Sequence, residues 1–259
     1  MASSIDKLRE TFCFLPKSRM SPLIGLLLGL VLVGTTWSLE ARAEVDVELV
    51  LAIDSSASVD GFEFAQQIEG LAAAFRDPEV VDAIVNGRSG RISVAVYEWA
   101  SANVQSIAVP WMLVDGPAAA EGLARRVEAM QRTVVGATSI SGAIEFASAL
   151  LAANPYPGAR QVIDISGDGR SNQGRDVRLA RDDAILTGIT INGLVILNEV
   201  ETLHYYFEQR VIGGFASFVE VAQDYSDYAR AIQSKLLREI RDRPVSERPS
   251  GATMLARVP

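Results

Sequence analysis

The chain has 259 residues, 49% of them apolar, with 24 basic against 32 acidic side chains and a formal charge of −8. That balance argues against sequence-independent nucleic-acid binding, which works through phosphate neutralisation by Lys and Arg. A single cysteine, Cys13, and a single histidine, His204, argue against a disulfide framework, a thiol nucleophile downstream and the usual zinc ligand sets.

The N-terminus has the layout of an export signal. Lys7, Arg9, Lys17 and Arg19 precede an apolar segment over 22–37, and Ala41-Arg42-Ala43 supplies an A-x-A cleavage site. The segment is short against the ~20 residues a transmembrane helix needs. The expectation is a signal peptide over 1–43 and a periplasmic or secreted product, with an uncleaved membrane anchor or a start at Met20 as alternatives. Removing 1–43 takes away five basic and three acidic residues, leaving −10, together with Cys13. The remainder is ample for one α/β domain.

Strand-like and helix-like patterns then alternate, which predicts a parallel sheet covered by helices. Residues 47–53 are an apolar, central first strand, and 61–75 carry Phe64, Ile68, Leu71, Ala72 and Phe75 at helical spacing. A strand over 91–99 is followed by a short antiparallel one over 103–109, near an edge. Helices over 118–130 and 139–152 precede a strand over 161–165, a helix over 174–187 and a strand over 189–197. A short helical piece over 205–211 and a last strand over 217–221 lead to an amphipathic terminal helix over 225–240. That helix offers Tyr228, Ile232, Leu236 and Ile240 for packing at i, i+4 spacing. The domain is expected over 44–240, with a flexible tail over 241–259 that contains Pro244, Pro249 and Gly251.

The chemistry lies at strand ends. Asp54-Ser55-Ser56-Ala57-Ser58 puts one carboxylate and two hydroxyls at D-x-S-x-S spacing on the turn leaving the first strand. Such oxygens can converge on a hard cation such as Mg²⁺, which takes ~6 oxygen ligands at ~2.0–2.1 Å. They can equally serve as helix N-caps. Gly136-Ala137-Thr138-Ser139 precedes a helix, and Ile165-Ser166-Gly167-Asp168-Gly169 follows a strand. In a parallel α/β sheet these loops gather at one edge.

Here the chain resembles the von Willebrand factor A domain with its metal-ion-dependent adhesion site. D-x-S-x-S, a Thr in a G-x-T context and an Asp followed by Gly occur in order at Asp54, Ser56, Ser58, Thr138 and Asp168. The resemblance covers roughly 46–240. It implies an α/β doubly wound, mostly parallel central sheet with helices on both faces, and those five residues as ligands of Mg²⁺, or of Mn²⁺ or Ca²⁺. It also implies that a partner's acidic residue completes the ion's coordination. Tyr205-Tyr206-Phe207 with Val211-Ile212-Gly213-Gly214 is similar to a stretch in a bacterial group of secreted A-domain proteins of unassigned function.

The functional expectation is an exported metal-dependent binding module, not an enzyme, that recognises another exported or envelope protein or a peptide. The alternatives are a hydrolase using the same ion and a structural domain whose ion stabilises the loops. No G-x-S-x-G elbow is present, and His204 is expected to pack or lie at the surface. Phosphoryl transfer through Asp54 lacks a second Asp at position 56 and any Lys between Lys17 and Lys235. Asp164 is not counted as a ligand, and the terminal helix is expected not to shift.

Overall fold

The computed structural model describes residues 45–241. The expected signal segment over 1–43, and the expected tail beyond Arg241, lie outside the described residues. Strand β1 (Glu48–Asp54) leads through α1 (Gly61–Arg76) and α2 (Pro78–Val85) to β2 (Ile92–Trp99) and β3 (Gln105–Val114). Next come α3 (Pro117–Glu128), α4 (Ile140–Ala152), β4 (Gln161–Gly167), α5 (Val177–Leu186) and β5 (Thr190–Ile196). Then follow α6 (Leu203–Arg210), β6 (Val219–Ala222), a 3-10 turn (Tyr225–Asp227) and α7 (Tyr228–Arg241).

The strands form one sheet in the order β3-β2-β1-β4-β5-β6, parallel throughout except for the β2–β3 pair. Winding runs outward from β1 through β2 and then resumes on its other side at β4. Loops leaving β1 and β4 therefore diverge to opposite faces, opening a crevice at the carboxyl edge. Period-two alternation divides β1 between two cores. Leu49, Leu51 and Ile53 pack with α1, α2, α3 and α7, while Val50 and Ala52 pack with α4, α5 and α6. Helices thus cover both faces, as the resemblance implied. On α1, Phe64, Ile68, Leu71 and Phe75 are buried, each stabilising by about 1.5–3 kcal/mol.

Three elements differ from the sequence expectation. Helix α2 has a capping Asp77 and Pro78 in its first turn, a start signal for a helix too short to show clear periodicity. Strand β3 runs past Pro110 to Val114; as an edge strand, β3 tolerates a residue without an N–H. Helix α5 begins only at Val177, after Gly174 at φ +89° and the capping Asp176, because a left-handed residue cannot continue an α-helix.

Terminal helix α7 packs through Tyr228, Ile232, Leu236 and Ile240. It also buries a cation. Lys235 Nζ lies 2.7 Å from Asp164 Oδ2 on β4 and 2.6 Å from Glu239 Oε1. Asn192 Nδ2 donates to the same Glu239 oxygen at 2.8 Å. Burial pushes Asp164 up to about 7, against the pull of Lys235. Asp164 thus binds the terminal helix to the sheet and takes no part in the carboxyl-edge cluster.

Candidate functional site

Helix α1 is capped by Asp60, whose side chain accepts from the N–H groups of Phe62 and Glu63, while Glu63 accepts from the N–H of Asp60. The capping reading of the D-x-S-x-S stretch therefore fails, and its oxygens serve something else. Asp54, at the end of β1, is fully buried. Its Oδ1 accepts from Ser56 N–H at 2.8 Å, and its Oδ2 is buried with no hydrogen-bond partner. The Ser56 and Ser58 hydroxyls lie 3.2 Å apart. Ser58 Oγ donates to Asp168 Oδ1 at 2.8 Å, and Tyr225 OH donates to Asp168 Oδ2 at 3.0 Å. Asp54, Ser56, Ser58 and Asp168 are thus one cluster.

Burial first, and then the charge of Asp168, pushes Asp54 up to about 7, while hydrogen bonds from Ser56 and from the Asp168 backbone act the other way. A neighbouring carboxylate disfavours the ionised form of a buried Asp54 unless a cation sits between them. Burial and both carboxylates hold Tyr225 well above its usual range, so it stays a donor. Close approach requires Gly167, since a Cβ there would lie 3.1 Å from Asp54 Oδ2.

Thr138 reaches the same edge through backbone bonds. Ala57 N–H donates to Gly136 O at 2.8 Å, joining the loop before α4 to the turn after β1. The N–H of Thr138 donates to Asn172 Oδ1 at 2.9 Å, and Thr138 O accepts from Asn172 N–H at 2.8 Å. A Cβ at Gly136 would fall 2.3 Å from Ser101 Oγ, so Ser101 would have to turn away and give up the bond it accepts from Ala137 N–H. Among the described residues no hydrogen bond joins the Thr138 hydroxyl to the other four site residues.

A supporting network escaped sequence reasoning. Gln67 on α1 donates to Asp54 O at 3.1 Å. Glu98, buried in β2, accepts from Thr133 N–H at 2.9 Å and Thr133 Oγ1 at 3.0 Å. Arg132 donates to Ser55 O at 3.2 Å and Ser56 O at 2.8 Å. Gln67 beside the apolar stripe of α1, and Glu98 in the apolar run of β2, are misplaced polar residues that could have flagged it. Nothing in the local pattern flagged Tyr225. His204 packs against Tyr205, ring centroids 3.9 Å apart and planes tilted by 43°, and bonds to none of the site residues. Trp99 is core.

The donor set suits a hard cation. It offers oxygen only, with one buried carboxylate oxygen lacking a partner and neutral hydroxyls beside it. Among the described residues no three His, Cys, Asp or Glu side chains gather as a metal cluster, so an ion here would rest on hydroxyls beside two carboxylates.

Sheet order, helix layers and site position define a von Willebrand factor A-type fold. The chain belongs to the family described as "Protein of unknown function (DUF1194)", which it matches over residues 44–244. Among solved structures it is similar to proximal thread matrix protein 1 from the mussel byssus with a zinc-occupied MIDAS motif. That match has 16% identity and a TM-score of 0.53, and covers 78% of this chain and 48% of that one. It is also similar to the vWF domain of the type V pili tip protein Mfa5 from Porphyromonas gingivalis, at 12% identity and TM-score 0.53, covering 78% and 99%. The pilus adhesin SpaC from Lactobacillus rhamnosus GG matches at 12% identity and TM-score 0.53, covering 76% and 31%. The chain therefore spans about half of the mussel protein, and less of SpaC. No curated protein matches it in sequence. Among the described residues no helix is long and apolar enough to cross a membrane.

Proposed function

We propose that this is a divalent-cation-dependent protein-binding module. Asp54, Ser56, Ser58, Thr138 and Asp168 would hold Mg²⁺ or Mn²⁺, some directly and some through water, leaving one coordination place for an Asp or Glu carboxylate of a partner. Asp54 Oδ2 carries the reading: a carboxylate oxygen buried without a partner, beside a second carboxylate, is stabilised by a cation placed between them. Because this set places two carboxylates beside neutral hydroxyls, the ion keeps affinity for a further anion.

Several features support the binding role. Phe62, in the first turn of α1, and Val135, in the loop before α4, are 72% and 58% exposed. Four residues after Ser58 and three before Thr138 in the chain, they offer exposed apolar side chains of the kind interfaces use. The zinc-occupied MIDAS of the mussel protein and the adhesin and pilus-tip roles of SpaC and Mfa5 agree with an exported module that meets another envelope or secreted protein. Against hydrolysis by the same ion, both Asp168 oxygens are already bonded, by Ser58 and Tyr225, and the open oxygen of Asp54 is the one this reading gives to the ion, so neither carboxylate is left over as a general base.

Titration calorimetry with Mg²⁺ and Mn²⁺ tests the site, and pull-down from an envelope extract with and without EDTA tests the role. Binding should be lost in Asp54→Ala and in EDTA. Partner capture indifferent to both overturns the metal bridge, and Mn²⁺-dependent turnover of a phosphoester or peptide overturns the non-enzymatic reading.

A further inference from the structure

Beside the site lies a cavity of about 410 Å³ lined by Arg170, Thr202, Tyr205, Tyr206, Gln209 and Arg210. On an acidic chain it stands out, because two guanidiniums line it and no carboxylate does. Arg76, Arg125, Arg175, Arg178, Arg181, Arg230 and Arg241 all form ion pairs. Among the described residues Arg170 and Arg210 form none, as is also true of Arg88, Arg91, Arg126, Arg132 and Arg238, but of these only Arg170 and Arg210 line the cavity. Asp176, the acid whose charge Arg210 feels, is itself bonded by Arg178 at 2.6 Å.

The cavity is built on fixed parts. Helix α6 is anchored by buried Leu203 and Phe207, one turn apart, which turns Tyr205, Tyr206, Gln209 and Arg210 outward. Arg170 Nη2 donates to Thr202 Oγ1 at 3.1 Å, and its guanidinium lies 5.7 Å from the Tyr206 ring centroid. A guanidinium has five N–H donors, so most of those on Arg170 remain for a ligand. The hydrogen bond to Thr202 and the nearby Tyr206 ring bias the fork toward this position and lower the entropy lost on binding a carboxylate.

Arg170 follows Asp168 by two residues, so their Cα atoms are at most about 7 Å apart. An extended peptide advances about 3.3 Å per residue. With the reach of the arginine side chain added, a second acidic residue about two or four positions from the first, on the same face of the extended peptide, would meet the guanidiniums.

We propose that this cavity is a second anionic subsite, and that the chain selects partner segments with two nearby acidic residues, one on the ion and one on Arg170 and Arg210. The inference rests on the metal-bridged reading above. Arginine forks bind carboxylates in pairs of parallel hydrogen bonds, so the subsite confers register as well as affinity. The net negative charge of the chain works against longer polyanions.

The probes are two labelled, end-blocked Gly/Ser octapeptides, one with a single Asp and one with a second Asp two positions on, on the same face of an extended chain. Fluorescence anisotropy is read on the full-length chain in Mg²⁺ at low salt. The second Asp should tighten binding about tenfold, with the gain shrinking as salt rises. Arg170→Gln and Arg210→Gln should each remove that gain while leaving single-Asp affinity and calorimetric Mg²⁺ affinity unchanged. A gain that survives both substitutions, no gain at all, or an equal loss for the two peptides overturns the subsite. If Asp54→Ala leaves both peptides bound while the arginine variants still remove the gain, the metal bridge falls and the subsite stands. Absence of any peptide binding to the Mg²⁺-loaded chain overturns both.

Discussion

Asp54→Asn should stabilise the metal-free protein at pH 8 while destroying metal binding. Asp54 rises from an ordinary 3.8 to about 7 in the fold, so the fold prefers its protonated form. Its contribution is intact below about pH 3.8 and is lost progressively as pH rises through about 7. At pH 8 the ionised group therefore weakens the metal-free fold by about 4 kcal/mol relative to a neutral one. Asn is neutral and nearly isosteric, and its Oδ1 can keep the 2.8 Å bond from Ser56 N–H. Its new amide donors lie where Oδ2 has no partner, which returns about 1–3 kcal/mol. A net gain of about 1–3 kcal/mol remains, or roughly 2–10 °C in Tm for a domain of this size. Thermal melts in EDTA should show that gain at pH 8 and less than half of it at pH 5. In wild type, millimolar Mg²⁺ should raise Tm; in the variant it should not. A variant equally destabilised in EDTA at both pH values, or one that still gains stability from Mg²⁺, would refute the reasoning.

Mg²⁺ must displace the proton from Asp54, so its affinity should be about tenfold weaker at pH 6 than at pH 8. Calorimetry in buffers of different ionisation enthalpy should show nearly one proton released at pH 6. Lys235→Met leaves Asp164 and Glu239 buried without their cation and should lower stability by about 3–5 kcal/mol, read by denaturant titration. With Lys235 in place, hydrogen exchange on α7 should change little when Mg²⁺ and an acidic peptide are added, because a sliding helix would have to break the buried Lys235–Asp164 pair and the Asn192–Glu239 hydrogen bond. Gly167→Ala pushes a methyl to 3.1 Å from Asp54 Oδ2 and should weaken Mg²⁺ binding by tenfold or more, measured calorimetrically.

The sequence by itself determined the alternating architecture and the order of the oxygen donors. Apolar period-two strands and period-3.6 helices follow from local geometry, so Glu48–Asp54 and Gly61–Arg76 could be read before any packing was known. The D-x-S-x-S stretch placed its oxygens on one turn, because five consecutive residues cannot lie far apart. Only the tertiary structure decided what that turn was for. Choosing Asp60 as the cap of α1 freed Ser56 and Ser58. Bringing Asp168 within 2.8 Å of Ser58 needed β4 to dock beside β1, a pairing across 110 residues that no local pattern encodes. Glu98, Arg132 and Tyr225 joined the site by long-range approach from β2, the loop before α4 and the turn before α7. Their types carry many roles, and burial with a partner, fixed only on folding, selects one. The rise of Asp54 has the same origin: a carboxylate behaves ordinarily in an open chain and changes only when a sheet and two helix layers exclude water from it.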